Sequence, residues 1–192
     1  MQKLNQQPDI CPYFSPEFKV IPQYIVMKEG ECMELNNKTT NFFIFILSGE
    51  ITISSEQYTN RPVLENEMFF LPKNNCFKWK AVTKTALILT GYNTTTFPCT
   101  SARAGILYKI KGGVKFDCRG VVMKDEVKTV VNQMKHYLES GINCHHMYIL
   151  KHKELYLMFK HFYTYEEIVQ IFYLTLGSNP LFNERVLDNY LK

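Results

Sequence analysis

Residues 42–53 read FFIFILSGEITI, and this stretch decides the fold that the sequence predicts. Six apolar residues precede a Ser-Gly step, after which polar and apolar side chains alternate. Successive side chains of a strand point to opposite faces, so residues two apart share a face. The residues on odd positions are Phe43, Phe45, Leu47, Gly49, Ile51 and Ile53. We therefore expect one long strand that bends at Gly49 and keeps these residues on a single face.

Short apolar runs separated by turn-forming residues continue on both sides of this stretch, through residues 1–123. The separating residues include Asn36-Asn37, Thr59-Asn60-Arg61-Pro62, Pro72-Lys73-Asn74-Asn75 and Gly112-Gly113. Turns about every 8–12 residues, with β-branched and aromatic residues between them, are typical of an all-β sandwich or barrel. Residues 77–81 alternate as a half-buried strand, whereas residues 68–71 and 86–89 are apolar on both faces and predict central strands.

Residues 124–192 follow a helical period and contain only two glycines and one proline. The first of four predicted helices carries an apolar stripe and ends at Gly141. The second, over residues 144–161, is apolar nearly all round in its later part, so we expect that part to be buried. A capping box at residues 164–167 opens the third helix, and Pro180 opens the fourth. The fold class is therefore α+β, with a β-domain at 1–123 and a helical region at 124–192.

The composition excludes several classes of protein. Among 192 residues, 22 Lys and Arg face 18 Asp and Glu, and a net charge of +4 is too mild for a dedicated nucleic-acid-binding protein. Six cysteines lie far apart without a Cys-x-x-Cys motif, and the N-terminus lacks the apolar stretch of a signal peptide. The longest strongly apolar run has six residues, against about 20 for a membrane helix. We expect reduced thiols, a cytoplasmic location and no membrane contact.

The histidines argue against a metal centre in the β-domain. All five lie after residue 123, so none can project into a barrel built from the first half. Within the helices, only His136 is followed at helical spacing by a second potential metal ligand, which is Glu139. Such a His-Glu pair is more often a surface ion pair than a metal site. The chain also contains no Gly-x-Ser-x-Gly, P-loop or Gly-x-Gly-x-x-Gly motif. The sequence therefore predicts no metal, no cofactor and no catalytic residue.

Two segments of the β-domain resemble the cupin pattern. In that family a strand passes through a Gly-Glu step, here within residues 47–53, and a second strand runs from a Gly-Asp turn to a proline, here over residues 66–72. Asn66-Glu67 replaces the usual Gly-Asp, and asparagine tolerates the left-handed turn conformation. Cupin enzymes carry a histidine where this chain has Phe77, and the upstream His-x-His is absent as well. The resemblance implies a cupin-like antiparallel β-barrel, or jelly roll, that is not a metalloenzyme.

The whole chain resembles the regulatory half of AraC-type transcription regulators. The helical segments that carry this likeness are 134–138 (MKHYL), 144–146 (CHH), 154–163 (ELYLMFKHFY), 166–168 (EEI), 172–173 (FY) and 182–192. The resemblance implies a cupin that senses an effector, helices that dimerise, and a C-terminal helix-turn-helix domain that binds DNA. This chain ends where that domain would begin, so we expect DNA binding only through a part that the chain lacks.

An aromatic, metal-free barrel suits a small organic effector. The candidate lining residues are Phe43, Phe45, Phe77 and Trp79, although plain core is the commoner role of such residues. The alternative function is a free-standing, metal-independent cupin enzyme such as a sugar epimerase or isomerase, with an acid or base inside the barrel. A cyclic-nucleotide-binding regulator is a weaker alternative, because no helix for its phosphate pocket is visible between Glu50 and Lys84.

The stripe on the first helix is the candidate contact for a homodimer. Its members are Val127, Val130, Val131, Met134 and Leu138. If the later helices cover the barrel, this stripe is left for a second copy, and identical stripes can meet across a two-fold axis. On this interpretation Val130 and Met134 lie near the centre of the interface.

Overall fold

Nine strands and three helices are present in the part of the chain that the computed structural model describes, residues 22–56, 58–92, 119–142 and 144–173. The strands are β1 (Gln23–Met27), β2 (Cys32–Asn37), β3 (Asn41–Ser48), β4 (Glu50–Ser54), β5 (Arg61–Leu64), β6 (Glu67–Leu71), β7 (Asn75–Ala81), β8 (Thr85–Tyr92) and β9 (Val121–Val122). The helices are α1 (Asp125–Glu139), α2 (His145–Phe162) and α3 (Tyr165–Phe172). The predicted fourth helix lies outside the described residues.

The strands form two antiparallel sheets that pack face to face. One sheet has the order β1-β8-β3-β6-β9 and the other the order β2-β7-β4-β5. Consecutive strands mostly alternate between the sheets, and the first strand pairs with the eighth, which is the strand order of a jelly roll. The strand order thus agrees with the predicted jelly roll. Over the described residues the two sheets stay separate, so they form an open sandwich rather than a closed barrel.

Gly49 is the corner at which the chain passes from one sheet to the other. It joins β3 of the five-stranded sheet to β4 of the four-stranded sheet, with a φ of +83°. Thr85 supports this corner, because its hydroxyl donates to the Glu50 carbonyl at 3.0 Å and accepts from the Glu50 amide at 3.2 Å. The predicted bend at the glycine is confirmed.

The prediction of a single shared face is wrong. The pairing of β3 with β8 shifts register between Ile46 and Ser48, which marks a β-bulge just before the corner. An extra residue in one strand inverts the alternation of the side chains that follow it. Consequently Phe43 and Phe45 lie on the outer face of the sandwich, whereas Ile51 and Ile53 point between the sheets.

Two hydrophobic cores result, one on each face of the five-stranded sheet. The inner core lies between the sheets and contains Met27, Ile44, Ile46, Ile51, Ile53, Val63, Phe69, Leu71, Phe77, Trp79, Ala81, Leu87 and Leu89. The helix-facing core lies between the outer face of that sheet and the helices. It contains Phe43, Phe45, Met68, Phe70, Ile88, Met123, Val127, Val130, Val131, Met134, Tyr148, Leu155, Phe159, Tyr163, Ile171 and Phe172. Because it is covered on both faces, β3 needs the continuous apolar run with which it begins.

The stripe of α1 is part of the helix-facing core. Val127, Val130, Val131 and Met134 are at most 2% exposed, and Leu138 packs partly buried against them. These side chains are covered by the chain's own sheet and helices, so they leave no apolar face for a second copy. The residues that were predicted to meet a second copy therefore lie in the chain's own core, and the homodimer itself stays a prediction.

The ends of the helices follow the local signals. Gly141 adopts a φ of +72° just after α1, and Thr164 and Glu167 form the predicted capping box at the start of α3. The expected burial of the later part of α2 is only half right, because Leu157 and Phe162 are exposed. None of the described helices is long and apolar enough to cross a membrane.

Replacing Gly49 by alanine should destabilise the sandwich strongly. A Cβ there would lie 2.5 Å from the Lys84 carbonyl oxygen and 2.7 Å from Thr85 Oγ1, in addition to the strain of a positive φ. We expect Gly49→Ala to lower the free energy of unfolding in urea by about 3 kcal/mol. Gly30→Ala is the matched control, because Gly30 has a φ of +79° with no atom within 4 Å of such a Cβ. Equal losses for both variants would contradict the crowding at the corner.

Val130→Glu should unfold the chain rather than convert a dimer into a stable monomer. The carboxylate would enter the helix-facing core, at a position that is 2% exposed. We expect a loss of about 4 kcal/mol in the free energy of unfolding. Asn132→Glu, on the exposed side of the same helix, should change it by less than about 0.5 kcal/mol. A soluble Val130→Glu monomer of unchanged stability would restore the interpretation of the stripe as an interface.

Candidate functional site

The space between the two sheets is lined by apolar side chains. On β7, Phe77 and Trp79 point inward while Lys78 and Lys80 point to solvent, as the alternation predicts. Facing strands contribute mainly isoleucine and leucine. All members of the inner core are apolar, so over the described residues this core offers no carboxylate, imidazole or amine. Such a lining favours an organic ligand over a charged one.

The four predicted pocket residues do not line one cavity. Phe77 and Trp79 belong to the inner core, whereas Phe43 and Phe45 belong to the helix-facing core. The sheet that contains β3 separates the two pairs. The predicted face ran from Phe43 to Ile53, and the bulge before Gly49 interrupts it, so that Ile51 and Ile53 face the inner core while Phe43 and Phe45 face the helices.

Trp79 carries the one polar group of the inner core. Its side chain is 2% exposed, and its Nε1–H finds no hydrogen-bond acceptor among the described residues. On the neighbouring strands, Met33 and Ile53 occupy the paired positions. A buried indole N–H without an acceptor costs about 1–3 kcal/mol, and most buried tryptophans avoid that cost. The arrangement leaves one hydrogen-bond donor inside the sandwich.

Phe43 connects the sheet to the helices on the other face. Its ring centroid lies 5.6 Å from that of Phe159 in α2 and 5.8 Å from that of Phe172 in α3. Within the sheet, it lies 4.8 Å from the Phe70 ring and 5.5 Å from the Phe45 ring. This aromatic cluster couples β3 mechanically to two helices, so a displacement of the strand would be felt by both.

His152 makes a polar link across the same interface. Its Nε2 shares a hydrogen bond of 2.7 Å with the hydroxyl of Thr90, a fully buried residue of β8. Burial lowers the pKa of His152 to about 4, and the neighbouring charge of His145 adds to this effect. The imidazole is therefore neutral at physiological pH. No local pattern predicts this pair, because 62 residues separate its members.

A second polar cluster fixes the start of α1 against the corner between α2 and α3. The Tyr163 hydroxyl donates to the Val122 carbonyl at 3.0 Å and accepts from the Lys124 amide at 2.9 Å. The Lys124 ammonium pairs with the Glu167 carboxylate at 2.9 Å. Burial raises the pKa of Tyr163 to about 12. The cluster holds structural elements in place, and only its capping-box member Glu167 was visible from the sequence.

Metal-ligating side chains are not gathered at either interface. Over the described residues, no three His, Cys, Asp or Glu side chains lie close enough to hold an ion. The described chemistry is thus an apolar interior with one indole donor and the Tyr58 hydroxyl at its edge, and a helix–sheet contact with one neutral imidazole.

No protein-family model and no curated protein matches the chain, whereas solved structures match part of it. A conserved protein of unknown function from Streptococcus pyogenes is 19% identical, over 38% of this chain and 64% of its own, with a TM-score of 0.36. A cupin-superfamily protein from Desulfitobacterium hafniense is 14% identical, over 38% and 65%, with a TM-score of 0.35. The cupin domain of Schizosaccharomyces pombe Cnp3 is 22% identical, over 48% and 63%, with a TM-score of 0.37. The chain therefore spans less than two thirds of each of these proteins.

Stability should fall in acid through His152. In the unfolded chain this imidazole takes up a proton near its ordinary pKa of 6.5, whereas in the folded chain it stays neutral down to about 4. The free energy of unfolding is therefore unaffected by this histidine above pH 6.5. As the pH falls towards 4, it decreases by about 3 kcal/mol, because only the unfolded chain takes up the proton. Urea denaturation across this range should show that His152→Gln loses less stability than the wild type. His161→Gln, at an exposed position, should follow the wild type, and parallel loss in the His152 variant would contradict the assignment.

Proposed function

We propose that the chain is the effector-sensing and dimerisation half of an AraC-type transcription regulator. Its effector is a small organic molecule held between the two sheets, with an oxygen or nitrogen acceptor beside Trp79. In regulators of this type, DNA binding belongs to a helix-turn-helix domain. The proposal takes its family from the sequence resemblance and its ligand chemistry from the inner core.

The Trp79 indole carries the proposal. It is a buried donor in apolar surroundings, and no acceptor among the described residues reaches it. A buried polar group of this kind calls for a partner. A neutral ligand with one acceptor and an apolar body satisfies the indole and matches the lining at the same time.

The aromatic contacts of Phe43 give a route from ligand to helices. β3 contributes Ile44 and Ile46 to the inner core and Phe43 to the helix-facing core. Because alternate residues of one strand face the two cores, a ligand that moves this strand also moves the rings packed on Phe159 and Phe172. A sensor needs this kind of coupling, whereas an enzyme does not.

The metal-independent enzyme remains the competing function. It requires a general acid or base at the ligand, and the described inner core consists of apolar side chains. The composition of that core therefore favours binding without reaction.

Fluorescence tests the proposal directly, because Trp79 is the only tryptophan of the chain. We expect at least one compound among neutral aromatic alcohols and aromatic amides to change the emission saturably. Trp79→Phe should weaken the binding of that compound, measured by calorimetry, about tenfold through the lost hydrogen bond. The control is Lys78→Ala, which changes an exposed residue on the outer face of β7. This variant should bind the compound with the affinity of the wild type.

Two outcomes would contradict the proposal. Conversion of the bound compound into a product would favour the enzyme. Binding that survives Trp79→Phe unchanged would place the ligand away from the inner core.

A further inference from the structure

We propose that Tyr58 is the gate of the ligand site between the two sheets. Its ring closes one end of the sandwich, and an aromatic ligand reaches Trp79 when that ring moves out and the ligand takes its place. This inference deepens the proposed function and rests on it, because it presupposes a ligand beside Trp79. It assigns the residue that controls access to the site and selects aromatic compounds.

One end of the inner core is closed by the backbone. At the corner between β3 and β4, the paired core residues Ile51, Val63 and Ala81 are fully buried. The Val82 amide donates to the Glu50 carbonyl at 2.9 Å, which ties the end of β7 to the same corner. A ligand that entered here would have to break backbone hydrogen bonds, which makes this end a poor entrance.

The opposite end of the inner core is closed by side chains. It is the end at which β4 leads into β5, and three apolar residues there pack partly buried against the inner core: Leu35, Phe42 and Tyr58. Leu35 and Phe42 are held on paired strands. Tyr58 lies in the connection between β4 and β5, so its side chain can move without disturbing a strand pair. This end is therefore the entrance, and Tyr58 is the side chain that can open it.

The contacts of Tyr58 resemble those that an aromatic ligand would make. Its hydroxyl oxygen is buried although the residue as a whole is only half-buried, so the ring points its polar end into the protein. The ring packs edge-on against Phe69 of β6, with 6.1 Å between the centroids and 67° between the planes. Aromatic pairs favour this T-shaped geometry. An aromatic alcohol that displaces Tyr58 recovers the same contact with Phe69.

The turn beneath Tyr58 is fixed by hydrogen bonds. The Ser55 amide donates to the Tyr58 carbonyl at 2.8 Å, and the Asn60 amide donates to the Ser54 hydroxyl at 2.9 Å. Asn60 has a φ of +50°, which asparagine tolerates. The backbone thus presents the ring to the end of the sandwich, and opening requires rotation of the side chain only.

Trp79 lies directly behind this gate. It pairs with Ile53 of β4, and the next residue, Ser54, is the last of that strand. Phe69, which the Tyr58 ring contacts, belongs to the same inner core as Trp79. A ligand that replaces Tyr58 on Phe69 therefore enters at the end of the core where the indole donor lies.

Acrylamide quenching of the Trp79 fluorescence tests the gate without any ligand, because Trp79 is the only tryptophan of the chain. Tyr58→Ala should raise the quenching constant about fivefold, since it opens the end of the sandwich beside the indole. Tyr58→Phe keeps the ring and should be quenched like the wild type. Leu64→Ala, at the far end of β5 where the leucine is 45% exposed, is the matched control and should also show no change. Circular dichroism verifies that each variant is folded.

Phenol tests whether an aromatic compound can take the place of the ring. Calorimetry should show that Tyr58→Ala binds phenol about tenfold more tightly than the wild type, because the wild-type ring must first be displaced. Cyclohexanol has the hydroxyl group but no aromatic ring, so its affinity should gain less from the same substitution.

Two results would overturn this inference. Unchanged quenching in Tyr58→Ala would show that the ring does not close the path to Trp79. Phenol binding to Tyr58→Ala that is equal to or weaker than binding to the wild type would show that no ligand takes the place of the ring. Either result leaves the Trp79→Phe comparison intact, so the proposed function would stand alone. Raised quenching without binding of any compound would instead support the gate and contradict the proposed function.

Discussion

The packing of the Phe43 ring against α2 and α3 is the contact on which the arrangement of helices and sheets depends. Phe43 lies on β3, whose neighbouring residue Ile44 fills the space between the sheets. One strand therefore supplies both hydrophobic cores. The helices do not stand apart as a separate unit, because the rings of Phe159 and Phe172 complete a core that the sheet begins.

The two sheets consequently differ in how much of their surface is covered. The five-stranded sheet is covered on both faces, and its central strands β3 and β8 are apolar on both. The four-stranded sheet exposes one face to solvent, where Lys78 pairs with Glu34 at 3.5 Å across β7 and β2. This difference explains the two sequence patterns. Polar and apolar residues alternate on β7 because one of its faces meets solvent, whereas β3 is apolar throughout because both of its faces are covered.

The sequence predicted the features that depend on neighbouring residues, and it missed those that depend on contacts between residues far apart in the chain. The alternation of residues 77–81, the capping box at Thr164 and the glycine after α1 are local, and each was predicted correctly. That Phe43 and Ile51 lie on opposite faces was not predicted, because the bulge of one residue between them has no clear signal in the sequence and inverts the alternation that follows it. Whether the chain itself covers the stripe of α1 also depends on packing with the whole sheet. For the candidate site, Trp79 was found by its alternation, whereas the bond of Thr90 to His152 joins positions too far apart for any local pattern.

The pairing of β1 with β8 has a consequence for synthesis of the chain. Gln23 pairs with Leu89, so the first strand has no neighbour in its sheet until the eighth has been made. During translation the apolar strands between them emerge before the sandwich can close, and loop closure over so many residues is slow. Because β3 also pairs with β8, its isoleucine- and phenylalanine-rich segment stays without one of its two partner strands until residues 85–92 have been made.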